Sequence, residues 1–188
     1  MENTRFKGAA DRRDYYDNKV IQMDMNYCMQ CGAKLHLKYH PEEEKDVPFC
    51  DVCGQYRWPV FNTACSMIVM NEAKDRVILI QQYNRPVYVL IAGYVNQGED
   101  AEHAAAREVR EELGMTVTSV HFNHSHYFAP TNTLMLNFTV TVAEHDAHPN
   151  YEVDSWRWFT VAEAMENIKP NSLARDFVIG YFTGKYPF

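Results

Sequence analysis

The sequence predicts an α+β protein, an α/β/α sandwich around a mixed sheet that is preceded by a small cysteine-rich module. Three observations support this prediction. Short apolar segments with strand character alternate with turn residues, and helical segments follow near the end of the chain. Residues 101–113 are rich in Ala, Glu, Arg and Leu, which are good helix formers. Two Cys-x2-Cys pairs precede the first apolar segment. Mixed strands with segregated helices pack as layers of helices on a sheet.

The chain divides into three predicted regions. Residues 1–26 are polar and mixed in charge, and they predict an N-terminal arm without an assigned function. Residues 27–58 contain the cysteine pairs, and residues 59–188 contain the predicted sandwich. Strands are predicted at 64–70, 77–82, 88–92, 117–128, 133–143 and 152–159. Helices are predicted at 101–113, 161–167 and 172–182.

The composition is that of a globular protein. Of the 188 residues, 46% are hydrophobic and 23% are charged. No apolar run approaches the length of a membrane-spanning helix, and the first residues lack a leader pattern, so we expect a cytoplasmic protein without membrane contact. The net charge of −7 and the lack of a basic patch argue against a nucleic-acid partner. A homodimer is an open alternative for the oligomeric state.

Residues 27–58 carry a metal-binding pattern of cysteines. Cys28 and Cys31 form one pair, Cys50 and Cys53 form the other, and 18 residues separate the pairs. This spacing matches a four-cysteine zinc pattern. Four thiolates at the corners of a tetrahedron suit structural Zn²⁺ and leave no open position for catalysis. A redox role would instead favour a single pair next to a βαβ unit. The sequence therefore predicts a zinc ribbon.

The helical segment at residues 101–113 has an acidic face. Glu108, Glu111 and Glu112 are spaced i, i+3 and i+4, so their carboxylates share one side of the helix. Three carboxylates repel each other, and a hard divalent cation such as Mg²⁺ or Mn²⁺ relieves this repulsion and also binds substrate phosphates. For the helix alone, a solvated face with ion pairs is the more common outcome. Asp100 is the predicted N-cap.

The residues around this helix resemble the box that defines the Nudix family. The pattern of the box is Gly-x5-Glu-x7-Arg-Glu-U-x-Glu-Glu-x-Gly-U, where U is a bulky aliphatic residue. The matching residues are Gly93, Glu99, Arg107, Glu108, Val109, Glu111, Glu112, Gly114 and Met115. A match at so many spaced positions is far more specific than a lone glycine-rich motif. The resemblance implies a Nudix sandwich whose loop–helix–loop holds divalent metals on the diphosphate of a nucleoside-diphosphate substrate.

The resemblance also implies roles for individual residues of the box. Glu108 and Glu112 are expected to bind the catalytic metals. Glu111 is expected to assist them or to accept a proton from the attacking water. Arg107 and Glu99 are expected to pair and to brace the loop before the helix.

A zinc ribbon directly before such a domain resembles the NADH pyrophosphatase (NAD diphosphatase) subfamily. Three further stretches resemble it, namely Trp58-Pro59, the acidic strand that begins at Glu152, and the helix start near Ala174. The resemblance implies that Glu152 is a metal ligand outside the box and that the backbone near Ala174 touches substrate. We expect Trp58 to contact one base of the substrate. The resemblance covers residues 27–183.

One stretch departs from the subfamily signature Ser-Gln-Pro-Trp-Pro-Phe-Pro-x-Ser. Here the chain reads Ser125-His126-Tyr127-Phe128-Ala129-Pro130-Thr131-Asn132-Thr133, which puts the identity of the substrate in doubt. Tyr127 or Phe128 can still stack on a base, and ordinary core packing is the alternative for Phe128. Thr133 replaces the final Ser and is a candidate substrate contact.

These residues predict a metal-dependent pyrophosphatase that uses Mg²⁺ or Mn²⁺, with Zn²⁺ in the ribbon, and that cleaves NAD(H) to NMN(H) and AMP. The same chemistry on ADP-ribose, FAD or another nucleoside-diphosphate derivative is the nearest alternative. A non-catalytic regulator that senses a nucleotide is an alternative of another class. The intact box and the acidic stretch at residues 41–46 argue against it.

Overall fold

A computed structural model describes residues 25–188 and divides the chain between Phe61 and Asn62. The predicted N-terminal arm lies outside the described residues except for Met25 and Asn26. The domain limits that the sequence suggests, at residues 26/27 and 58/59, stay predictions.

The first unit contains a three-stranded antiparallel sheet. Its strands are β1 (His36–His40), β2 (Lys45–Cys50) and β3 (Gln55–Tyr56), in the order β1-β2-β3. Gly32 and Gly54 follow the two cysteine pairs with φ of 73° and 66°. The N–H of each glycine donates to the carbonyl of the first cysteine of its pair, at 2.8 Å in both cases. Glycine suits these tight turns because it adopts positive φ without steric cost.

The four thiols of the two pairs form one cluster. Every sulfur lies within 4.8 Å of the other three, and none of the five cysteines of the chain forms a disulfide. The sulfurs of Cys28 and Cys53 are 3.9 Å apart, and those of Cys31 and Cys50 are 3.5 Å apart. Sulfurs around a tetrahedral zinc lie about 3.8 Å apart, because the Zn–S bond is about 2.3 Å long. A hydrogen bond donated by Arg57 lowers the pKa of the Cys28 thiol to about 6. The cluster therefore has the size and the donors of the predicted zinc site.

The second unit is a six-stranded mixed sheet with three helices. Its strands are β4 (Asn62–Met70), β5 (Arg76–Gln82), β6 (Ile91–Tyr94), β7 (Val117–Phe128), β8 (Thr133–Val142) and β9 (Val153–Thr160). Its helices are α1 (Ala101–Leu113), α2 (Val161–Asn167) and α3 (Leu173–Thr183), with a 3₁₀ turn at Ala129–Thr131. The strand order is β7-β8-β4-β5-β9, and β6 pairs with β4. Strands β4 and β8 run parallel, whereas the other pairs run antiparallel.

The side chains of β4 and β5 divide the core of this unit into two layers. Successive residues of a strand point to opposite faces of the sheet. Met67 and Ile80 pack with Val109 of α1 on one face. Ile68 and Leu79 pack on the other face against α2 and α3. Helices therefore cover both faces, which confirms the predicted α/β/α sandwich. Within residues 25–188, no helix has the length and the apolar character that crossing a membrane requires.

Apart from shifts of one or two residues at the ends of several elements, two details of the predicted elements differ in the structure. The strand expected at 88–92 lies at Ile91–Tyr94, so Gly93 is inside β6 and does not follow it. In the segment before β6, Val89 instead pairs with Ile80 of β5 in an isolated bridge. Asp100 occupies the N-cap position of α1 with an extended backbone, but its side chain makes no capping hydrogen bond.

Loss of metal is expected to unfold the first unit. A unit this small buries little core, so a structural ion supplies much of its folding energy. Elemental analysis of the pure protein should find about one zinc per chain, and Cys28→Ser should lose it. The matched control is Cys65→Ser, because Cys65 is buried in β4 and lies outside the cluster; this variant should keep its zinc. A folded, metal-free first unit would contradict the assignment.

Candidate active site

Acidic side chains line a cavity of about 500 Å³ in the second unit. Glu108, Glu111 and Glu112 reach it from α1, and Glu152 reaches it from the loop before β9. The helical spacing that the sequence shows thus puts all three helix carboxylates at one cavity. The structure also brings to it Glu152, the ligand of the catalytic metals that is predicted outside the box.

Glu112 is the most deeply buried of these carboxylates. Only 4% of the residue is exposed, and its Oε2 has no hydrogen-bond partner among the residues described. Burial, and after it the charges of Glu108, Glu152 and Glu111, raises the pKa of Glu112 to about 8. A buried oxygen without a partner, surrounded by negative charge, is a site where a hard divalent cation fits.

Glu108 lies against the backbone of β6. A Cβ at Gly93 would overlap the carboxyl group of Glu108. The glycine is therefore needed for the space that it leaves, because its own φ does not lie in the left-handed region. This contact lets the carboxylate rest on the strand and face the cavity.

Arg107 joins the loop before α1 to the acidic face. Its Nε and Nη2 donate to the two oxygens of Glu99, at 2.8 and 3.0 Å, so the expected pair is present. Its Nη1 donates to Glu108 at 2.7 Å and to Glu111 at 3.0 Å. Its Nη2 also donates to the carbonyl of Tyr94, at 3.0 Å. The hydrogen bonds from Arg107 lower the pKa of Glu99 to about 2, so this carboxylate is ionised at neutral pH.

The segment after β8 places Glu152 beside the end of α1. The N–H of His148 donates to the carbonyl of Leu113 at 2.7 Å, and the N–H of Asn150 donates to the carbonyl of Glu112 at 3.1 Å. The last carbonyls of a helix have no partner inside the helix, and this segment satisfies two of them. The side chain of Asn150 in turn accepts the N–H of Glu152 at 2.9 Å. Asn150 belongs to no motif, and only the folded chain shows its role.

The predicted substrate-binding residues are placed in different parts of the structure. Thr133 lines the cavity. Tyr127 and Phe128, at the end of β7, are not among its lining residues. Ala174 packs on the core layer beneath α3, and Trp58 belongs to the first unit. Their roles in binding a base stay predictions.

The carboxylates around the cavity are more widely spaced than the thiols of the first unit. Within residues 25–188, the four thiols are the one group of three or more potential ligands whose donor atoms lie within 4.8 Å of one another. A single ion would therefore not reach all the carboxylates without side-chain movement. This spacing suits more than one cation.

Comparison with known families agrees with this geometry. Residues 61–178 match the model of the Nudix domain. The chain belongs to the Nudix hydrolase family. Nudix enzymes are hydrolases that act on acid anhydrides with the help of divalent metals, so the predicted family and enzyme class are confirmed.

Curated relatives of this Nudix chain carry an NAD-linked name. NAD-capped RNA hydrolase NudC of Vibrio atlanticus (strain LGP32) is 28% identical over 170 residues, which cover 86% of this chain and 61% of that protein. NAD-capped RNA hydrolase NudC of Vibrio vulnificus (strain CMCP6) is 31% identical over 140 residues, which cover 72% of this chain and 51% of that protein. The chain thus spans about half to three fifths of the length of these relatives.

Solved Nudix structures share the fold. A Nudix hydrolase from Nitrosomonas europaea superposes with a TM-score of 0.58 at 21% identity, over 87% of this chain and 96% of that one. A MutT structure described for Aliivibrio salmonicida and Vibrio cholerae superposes with a TM-score of 0.55 at 21% identity, over 65% of this chain and 100% of that one. These likenesses concern the fold alone.

Gly93→Ala is expected to inactivate the enzyme and to leave it folded. The added methyl group meets the flexible end of the Glu108 side chain, which can swing away and so preserve the fold. The carboxylate then leaves its place, and a displacement of this size can cost about a hundredfold in turnover. The measurement is kcat together with a thermal melt. Normal kcat would show that the approach of Glu108 to β6 is not needed.

Proposed function

We propose that this Nudix protein is a metal-dependent pyrophosphatase that cleaves the diphosphate of a dinucleotide, with NAD(H) as the favoured substrate and NMN(H) and AMP as products. The observation that carries the metal dependence is Oε2 of Glu112, which is buried among acidic neighbours and has no hydrogen-bond partner within residues 25–188. The NAD-linked name of the relatives supports the choice of substrate. ADP-ribose, FAD or another nucleoside-diphosphate derivative stays the nearest alternative, because residues 125–133 depart from the NADH signature.

In this proposal Glu108, Glu112 and Glu152 hold two or three Mg²⁺ or Mn²⁺ ions. When bound, the ions neutralise the diphosphate and make a water molecule more acidic. Glu111 is the proposed proton acceptor, because its side chain is 55% exposed whereas that of Glu108 is 14% exposed. Arg107 donates a hydrogen bond to each of these two carboxylates and so orients both.

The name of the relatives also suggests a second form of the substrate, in which NAD is the cap of an RNA. An NAD cap offers the same diphosphate at the end of an RNA, so the same carboxylates would serve both substrates. The net charge of −7 favours the free dinucleotide, because RNA phosphates are repelled by an acidic protein. A cytoplasmic location and a homodimer stay predictions. A nucleotide-sensing regulator, the alternative of another class, would bind substrate without turnover.

Glu108→Gln and Glu112→Gln are expected to lower kcat by at least about a hundredfold, because the amide keeps the shape of the side chain but removes the anionic ligand. Mutation of a residue that only hydrogen-bonds to a metal ligand already lowers activity by about 10–100-fold. Glu152→Gln should behave in the same way. Product release from NADH is measured at saturating Mg²⁺ or Mn²⁺. The control is Glu102→Gln, an exposed position in the first turn of α1. Near-normal turnover of the Glu108 or Glu112 variant would refute the assignment.

Phe128→Ala and Trp58→Ala are expected to reduce kcat/KM for NADH by up to roughly tenfold, because a lost aromatic stack costs about 0.5–1.5 kcal/mol. The loss should be smaller for ADP-ribose, which lacks the second base. The control is Phe122→Ala, a 55% exposed ring on the same strand as Phe128.

Equal losses on both substrates would indicate a general defect and not a base contact. A higher kcat/KM of the unaltered enzyme for ADP-ribose than for NADH would favour the alternative substrate class.

A further inference from the structure

Tyr83 lies at the edge of the candidate active site and belongs to none of its motifs. It follows β5 directly, it lines the cavity, and 61% of the residue is exposed. Its hydroxyl donates a hydrogen bond to Oε2 of Glu152, 3.2 Å away. The contact therefore joins an unassigned side chain to the proposed cation ligand that lies outside α1.

The backbone at Tyr83 has a conformation that is uncommon for its residue type. Tyr83 and Asn84 have φ of 57° and 54°, a left-handed region that few residues other than glycine adopt. Just before them, the register between β5 and β9 shifts at Gln81/Gln82. Irregularities of this kind re-aim side chains and are frequent beside active sites. Here they turn the chain so that the Tyr83 ring reaches the cavity.

The turn at Tyr83 is anchored to the strand that follows Glu152. The N–H of Asn84 donates to Oδ2 of Asp154 at 2.6 Å. The hydroxyl of Ser155 donates to the side-chain oxygen of Gln81 at 2.7 Å. Asp154 and Ser155 both belong to β9. The turn that carries Tyr83 is thus hydrogen-bonded to β9, and Glu152 directly precedes β9. Two hydrogen bonds, in addition to the one between Tyr83 and Glu152, therefore fix the distance between these two residues.

The side chain of Glu152 needs such a partner. Asn150 holds its backbone N–H, but a backbone bond leaves the χ angles free. Within the described part of the chain, the hydroxyl of Tyr83 is the recorded hydrogen-bond donor to the carboxylate of Glu152. Hydrogen bonds from outer groups set the orientation of metal ligands, and their loss typically weakens metal binding 10–100-fold.

We propose that Tyr83 is a positioning residue that orients the Glu152 carboxylate for cation binding. This inference rests on the proposed function, in which Glu152 is a cation ligand. Tyr83 acts through Glu152 and through the anchored turn, and it takes no part in bond breaking.

The test measures binding of Mn²⁺ alone, by the electron paramagnetic resonance signal of the free ion. Tyr83→Phe keeps the ring and removes the hydroxyl, and it should weaken the Glu152-dependent part of Mn²⁺ binding about tenfold. The control is Tyr151→Phe, because Tyr151 is the neighbour of Glu152 and is 92% exposed. The Tyr151→Phe protein should bind Mn²⁺ as tightly as the unaltered protein does. Unchanged binding in Tyr83→Phe would overturn the inference.

A second background separates positioning from a general defect. In Glu152→Ala the acceptor is gone, so adding Tyr83→Phe should change Mn²⁺ binding less than about twofold. A further tenfold loss in that background would overturn the inference. Asp154→Ala should release the turn and reproduce the weakening, whereas Asp154→Asn keeps an acceptor oxygen and should restore binding. Normal binding in Asp154→Ala would count against the anchored turn.

The same titration distinguishes failure of the inference from failure of the proposed function. If Glu112→Gln loses Mn²⁺ and Tyr83→Phe does not, the proposed function stands and the inference is wrong. If both Glu112→Gln and Glu152→Ala bind Mn²⁺ as the unaltered protein does, the carboxylates do not form the cation site, and the proposed function and the inference are both wrong.

Discussion

The guanidinium of Arg107 is the interaction on which the site depends. One side chain binds Glu99 in the loop and the carbonyl of Tyr94 at the end of β6, and it binds Glu108 and Glu111 on the helix. Arginine suits this place because its planar fork presents five donors at once, whereas lysine offers a single compact charge. This link ties the loop, the end of β6 and the acidic face of the helix together.

Arg107 is also fully engaged by the protein, which determines how the rest of the site works. Its nitrogens already bind four partners, so the guanidinium has no free edge for a substrate diphosphate. Arg107 makes no hydrogen bond to Glu112 or Glu152. Burial, and after it the charges of the neighbouring carboxylates, raises the pKa of Glu112 to about 8. Bound divalent ions would supply the positive charge that Arg107 cannot offer to a substrate diphosphate. The chain thus neutralises part of the charge of its acidic cavity, whereas Oε2 of Glu112 keeps no hydrogen-bond partner among the described residues.

Local spacing made the box and the thiol cluster predictable. Helical geometry alone puts Glu108 and Glu112 on one face. The Cys-x2-Cys spacing likewise predicts the tight turns that bring each pair of thiols together. Tyr83 was not predictable, because its partner Glu152 is 69 positions away and only the folded chain brings them together. The third strand of the sandwich was misplaced for a related reason. Residues 88–94 are apolar throughout, and pairing with β4 decides which of them form the strand.

Because β4 pairs with β8 in parallel, we expect completion of the cavity to come late in folding. Ser66 and Asn137, which lie opposite each other in this register, are 71 positions apart, and the Asn137 side chain bonds to the Ser66 carbonyl in the core. Long-range pairing of this kind forms slowly, because a long loop must close before any contact compensates for the lost entropy. The acidic helix lies within that loop. During synthesis we therefore expect the carboxylates of the helix to be exposed to solvent until Thr133 completes the wall of the cavity.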